Sequence, residues 1–343
     1  VGRLHLFSIR RRFQVKKIIT LLLKIGVTVL LFVLLFKKLG FNVILNEILT
    51  ADPLFLIIAC LIFLISMVLS AIQWNLLLSH QGVLIGRKKT FSLYMIGHFF
   101  NNFLPGAMGG DLIKVYKLKS DHKRGKEGLV ATFLDRFAGL FMLSVFALIS
   151  AAYLHSRPDI SFSGNLYLYI IATFALFFAT LIFLFSRTAS RLIYGVLLKN
   201  INPMNLRDKI NDLHNFLHLY RGNRLLYVKV FILSSVIQFL RISVHWFVAH
   251  SIGFDIPFVY FLVFVPLIAL IASLPLSFGG LGVREGLGQL LFAAAGFSGT
   301  LAVATQFLAS IVGIAVSLLG GLIFIFQRRT TVEENNNVTN QPS

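Results

Sequence analysis

The chain has 343 residues, of which 57% are hydrophobic and only 13% charged, where soluble domains carry about 25% charged residues. Apolar residues in that proportion, gathered into runs of about 20, mark a membrane protein, and no stretch is polar enough to be a soluble domain. The formal net charge of +19 does not point to nucleic acid, because the basic residues lie in the gaps between apolar runs, as the positive-inside rule requires.

Taken in chain order, the first apolar stretch covers 18–36 and follows Arg10, Arg11, Arg12, Lys16 and Lys17. It is longer than a signal-peptide core and no A-x-A site follows, so it is expected to be an uncleaved first span, with Lys24 snorkelling to the near surface. Further spans are expected at 54–79, 127–153, 166–186, 229–250 and 300–327. The single cysteine, Cys60, sits inside one of them and excludes an internal disulfide framework. The stretch 187–228 is basic and amphipathic, suited to short helices on an anionic membrane surface. The polar end, 330–343, is expected to be a disordered cytoplasmic tail. Residues 1–329 then form a single polytopic membrane domain with halves of about 18–153 and 166–327.

Most of the 32 Lys and Arg fall before 18, at 87–89, at 114–126, at 187–229 and at Arg328 and Arg329. The opposite side has only Lys37, Lys38 and Arg157. That skew predicts both termini on the cytoplasmic side of the cell membrane.

Two apolar stretches, 91–110 and 258–297, are broken by Pro and Gly. Both flanks of the first are basic, and one crossing takes about 20 residues, so it is expected to enter and return as a re-entrant hairpin. By parity the second enters and returns from the other side. The turns match as Leu104-Pro105-x-x-x-Gly109-Gly110 and Leu274-Pro275-x-x-x-Gly279-Gly280. The fold class that follows is an all-α integral membrane protein, with about six transmembrane helices plus two re-entrant broken-helix hairpins in an inverted repeat. Such repeats with discontinuous helices point to a transport site.

The run Asn101-x-x-Leu104-Pro105-Gly106-x-x-Gly109-Gly110-Asp111-x-x-Lys114-x-Tyr116, the pair Asp135-Arg136, and Gly279-Gly280-x-Gly282-x-Arg284-Glu285 together resemble the lysylphosphatidylglycerol synthase transmembrane domain family, also called flippase-like domain proteins. The resemblance covers about 10–327. It implies a domain that moves lipid between leaflets, joined in founding members to a cytosolic aminoacyltransferase. With the last span ending near Gln327, this chain is expected to lack that transferase, which leaves the lipid open.

Irregular backbone at membrane depth has to be buried in protein or line a wet cavity, which places both turns at an interior site. Gly109, Gly110, Gly279 and Gly280 could let a phosphate approach helix N-termini, or could serve tight turns and close packing alone. Asp111 reads either as a helix cap or as a site residue. Lys114 reads either as a phosphate contact or as a group at the headgroup surface. Asp135 and Arg136 are adjacent on a helix and point about 100° apart, so each should reach a different element, with Arg136 to Glu285 the suggested pair. Arg241 and His245 share one face of a span, as a cavity wall or as interhelical hydrogen bonds. His98 reads as a packing histidine. No metal-ligand pattern and no phosphate-binding lysine loop occurs, so no cofactor is expected.

The expected function is translocation of an anionic or polyprenyl-linked lipid. The expected partners are membrane lipids and a lipid-modifying enzyme. A membrane-embedded transferase using Asp135 or Glu285 as base, or an accessory scaffold, is the alternative.

Overall fold

The computed structural model describes residues 41–103, 109–156, 223–273 and 280–339, with Gly26, Val33, Lys37, Leu168, Ile171, Ala172, Ala175 and Ser277 besides. The expected spans at 18–36 and 166–186, nearly all of 187–228, and the centres of both hairpin turns lie outside the described residues. So do Pro105, Gly106, Pro275 and Gly279.

Among the described residues every regular element is an α-helix. They are α1 (Phe41–Leu49), α2 (Pro53–His80), α3 (Arg87–Phe103), α4 (Gly109–His122), α5 (Gly125–His155), α6 (Arg224–Ser251), α7 (Phe258–Ala272), α8 (Val283–Ala294) and α9 (Gly299–Thr339). Four of them, α2, α5, α6 and α9 over Gly299–Gln327, are long and apolar enough to cross a membrane. The chain is an all-α membrane protein. The helix of α9 continues to Thr339, through most of the polar stretch after 329.

Local sequence sets the helix starts. Asp52 accepts the Leu54 N–H at 2.8 Å and Pro53 takes the first helical position, so α2 begins with a cap and a residue that needs no amide partner. Asn223 caps α6 in the same way through the Leu226 N–H at 3.0 Å.

The short helices pair as hairpins. Lys89 Nζ lies 2.8 Å from Asp121 Oδ2, which ties the feet of α3 and α4 together. Nearer the turn, Gly97 and Gly110 bring the two backbones into contact. With 17 and 14 residues, these helices fall short of the roughly 20 that a crossing takes. The hairpin is longer than the sequence suggests, because its return arm runs through the lysines to His122. Charge disguised that arm. Lys114 and Lys117 turn inward, over Trp74 and Tyr94 and over Phe324 respectively, and their ammonium groups rest on aromatic faces.

The second hairpin joins α7 and α8, of 15 and 12 residues, and its feet meet where the Tyr260 and Phe297 rings stand 4.8 Å apart. Pro266 lies inside α7. Gly280 and Gly282 have φ of 78° and 80°, a backbone region in which side chains are strained, so the turn needs glycine at both positions.

The order long, short, short, long thus occurs twice, as α2–α5 and α6–α9. Packing repeats it. α3 lies on α9 as α7 lies on α5; α4 lies on α5 as α8 on α9; α2 meets α5 as α6 meets α9; and α5 meets α6 as α9 meets α2. The most extensive contact, α2 with α6, corresponds to itself. Those two helices run in opposite directions. Gln73 meets Ser234, the Phe55 ring meets Phe247 and His250, and Asp52 donates its N–H to Ser251 O at 2.7 Å. A packing scheme that maps onto itself through an antiparallel central pair is an inverted repeat.

Candidate functional site

The site grows from one stripe of α2. Ser66, Ser70 and Gln73 follow each other at one-turn spacing on an otherwise apolar span, and all three are buried. Ser70 Oγ donates to Ser66 O at 2.7 Å and accepts from Arg241 Nη2 at 3.0 Å. Gln73 accepts the Ser234 hydroxyl at 2.9 Å and donates to Asp135 Oδ1 at 3.0 Å. The Tyr94 hydroxyl donates to Asp135 Oδ2, also at 3.0 Å. Buried polar groups cost free energy unless paired, so this chain of bonds fixes α2, α3, α5 and α6 to one another.

Arg136, next in sequence to Asp135, points away from it to α4 and pairs with Asp111 Oδ2. The other oxygen of Asp111 lies 3.3 Å from Lys114 Nζ. Lys114 is almost completely enclosed, with 3% of its side chain accessible, and its ammonium sits 4.8 Å from the Trp74 centroid and 4.3 Å from that of Tyr94. Trp74 Nε1 in turn donates to Thr132 Oγ1 at 3.0 Å.

Arg136 keeps 33% of its side chain accessible. Arg241 and His98 are also partly accessible, although helices surround them. The Nε of Arg241, the Nε2 of His98 and the Nδ2 of Asn102 are enclosed atoms without a hydrogen-bond partner among the described residues. Arg241 lies about 15 Å from the C-terminal end of α6 at 1.5 Å per residue, well inside the span. A guanidinium N–H without a partner at that depth calls for a polar ligand or water.

The expected charges therefore assemble, but with different partners. Arg136 reaches Asp111 rather than Glu285. Glu285 is fully buried, and one of its oxygens accepts the Gly282 N–H at 2.6 Å, closing the start of α8. Asp111 does not cap α4. That role falls to the Asn101 side chain, whose Oδ1 accepts the Gly110 N–H at 2.8 Å and the Asp111 N–H at 3.3 Å. The amides expected to greet a phosphate are thus already taken, and Gly110, beside the half-buried Gly109, serves close packing against Gly97. At the other turn, Arg284 and Ala272 occupy the space beside Gly280. His245 donates from Nδ1 to Arg241 O at 3.0 Å within its own helix.

Gln73, Trp74, Tyr94 and Ser70 are site residues that the sequence reading passed over. For Ser70 and Gln73 the signal was present, as three polar residues at one-turn spacing in the span 54–79.

Residues 21–321 match the lysylphosphatidylglycerol synthase TM region. The chain belongs to that family. Its similar relatives include the UPF0104 membrane protein PH1989 of Pyrococcus horikoshii, 27% identical over 336 residues, which cover 92% of this chain and 99% of that one. A UPF0104 membrane protein of Methanothermobacter thermautotrophicus is 24% identical over 271 residues, covering 74% of this chain and 79% of the relative. No solved structure matches. Family membership over 21–321 agrees with the resemblance carried by Asn101 to Tyr116 and by Gly279 to Glu285.

Proposed function

We propose that the chain carries an anionic lipid headgroup across the bilayer, through the space bounded by the first hairpin, α2, α5 and α6. The observation that carries this reading is Arg241: a guanidinium deep in a membrane span, tied to Ser70 on one side and with its Nε unpartnered among the described residues. Charge inside a membrane is costly and marks a path for ions or substrates. The family match and the inverted repeat support transport over catalysis. The Lys and Arg skew supports both termini lying on the cytoplasmic side of the cell membrane. A separate lipid-modifying enzyme would supply the cargo.

The test is transbilayer movement in liposomes that contain only the purified chain. Labelled anionic lipid should cross faster than in empty vesicles, and Arg241→Gln should slow it about tenfold, the factor expected for losing one charged contact. No acceleration across aminoacylated, glycerol-based and polyprenyl-phosphate lipids would sink the reading.

A further inference from the structure

We infer that Glu285 of the second hairpin holds a proton while the hairpin is closed and gives it up when the hairpin opens to water, which couples cargo movement to a proton. The coupling rests on the translocation reading; the proton on Glu285 does not.

The two halves treat their return helices differently. Carried on without a gap from the match of Gly110 with Gly280, Asp135 and Arg136 of α5 fall on Thr305 and Gln306 of α9. Each of these long helices packs on a return helix that bears a carboxylate in its first turn, Asp111 on α4 and Glu285 on α8. In the first half Arg136 pairs with Asp111. In the second a neutral amide stands in the place of Arg136. The Gln306 Cγ lies 2.7 Å from where a Cβ on Gly288 would sit, one turn beyond Glu285 on the same face of α8.

Glu285 is completely enclosed and forms no ion pair among the described residues. Its Oε2 accepts the Gly282 N–H at 2.6 Å. Its Oε1 is enclosed without a hydrogen-bond partner among the described residues, and so are both amide atoms of Gln306. Arg284, next in sequence, lies back over the turn instead, with its Nε 3.2 Å from where a Cβ on Gly280 would sit.

The elements packed on α8 are α7 and α9, and neither Phe258–Ala272 nor Gly299–Gln327 contains a charged residue. The polar groups on this side are Gln289 of α8 and Thr305 and Gln306 of α9, with Thr305 already donating to Leu301 O at 2.8 Å. His245 of α6 is within electrostatic reach of Arg284. An ionised carboxylate enclosed without an ion-pair partner takes up a proton rather than keep its charge. The O–H bond forms at Oε1 with a proton drawn from water, and no electrons move. When the turn at Gly280 and Gly282 opens, Glu285 meets water, where a glutamate is ionised near neutral pH, and the proton leaves. A carrier built from an inverted repeat opens to the two sides in alternation, so uptake and release fall on opposite faces of the membrane.

Infrared spectroscopy of the full chain in detergent at pH 7.5 reads the proton directly, as the carbonyl band of a protonated carboxylic acid. The band should be present, shift in heavy water, and be missing from Glu285→Gln. Carbon-13 labelling of glutamate should move it in the unaltered chain, a comparison that stands even if the variant does not fold. The second measurement uses liposomes with a gradient of one pH unit and the membrane potential clamped. With the unaltered chain, labelled anionic lipid should accumulate in one leaflet by up to about tenfold, the ratio of proton activities; with Glu285→Gln it should not. No acid band, or a band that neither Glu285→Gln nor glutamate labelling moves, overturns the inference; it is the result expected if a sodium ion held an ionised Glu285. A band from Glu285 with lipid movement that ignores the gradient overturns the coupling and leaves translocation standing. A band from Glu285 with no lipid moved upholds the proton and removes translocation.

Discussion

Removing Arg136 leaves Asp111 with Lys114 as its one ion-pair partner among the described residues. The pair with Asp111 is mostly enclosed, but a third of Arg136 remains accessible, so its loss should cost less than the 3–5 kcal/mol of a fully buried pair. We expect Arg136→Gln to lower stability by about 2 kcal/mol. Asp111→Asn should be similarly harmful, and the double change should cost less than the two single changes added together. Thermal unfolding in detergent measures all three. Strict additivity would mean the two groups do not act on each other. The charged residues themselves were legible in the sequence, because ionisable groups inside apolar runs stand out. Their partners were not. Asp111 can be satisfied by α4, by α5 or by its own amides, and only the packing of the hairpin on α5 decides. Asn101 took over the cap because the arm returns one helix diameter away, a distance that sequence spacing does not encode.

Helix packing makes sharper demands than charge. A methyl group on Gly110 would strike the Gly97 carbonyl and the Asn101 amide, and neither backbone group can rotate away. Gly110→Ala should therefore cost about 3 kcal/mol or more and spread the hairpin. Gly286, in the first turn of α8, has nothing within 4 Å of the equivalent position. Gly286→Ala should raise stability by about 0.5 kcal/mol, part of the helix-interior difference in propensity. Melting both variants under one set of conditions checks the contrast, and a Gly110→Ala protein as stable as the parent would deny the close contact. The broken hairpins were readable from their Pro and Gly interruptions and from flanks of like charge. The length of the first one was not, because Lys114 and Lys117 look like surface residues until Trp74, Tyr94 and Phe324 are brought over them.

At the scale of the whole molecule, the antiparallel pairing of α2 with α6 carries the repeat. Asp52 donates its backbone N–H to Ser251 O at 2.7 Å, which brings the two chain segments within the general reach of a cross-link. In a Cys60→Ala background, Asp52→Cys with Ser251→Cys should cross-link readily on oxidation. Asp52→Cys with Asn223→Cys, which a parallel arrangement would bring together, should not. The reverse result would dissolve the inverted repeat. The chain also contains its own optical gauge. It has two tryptophans, and among the described residues only Trp74 has an ammonium against its face, held there by the return arm of the first hairpin. In a Trp246→Phe protein the remaining indole would report whether that arm is docked. Its emission maximum and lifetime should shift when Lys114 withdraws, so that hairpin motion can be followed by light, with no label attached.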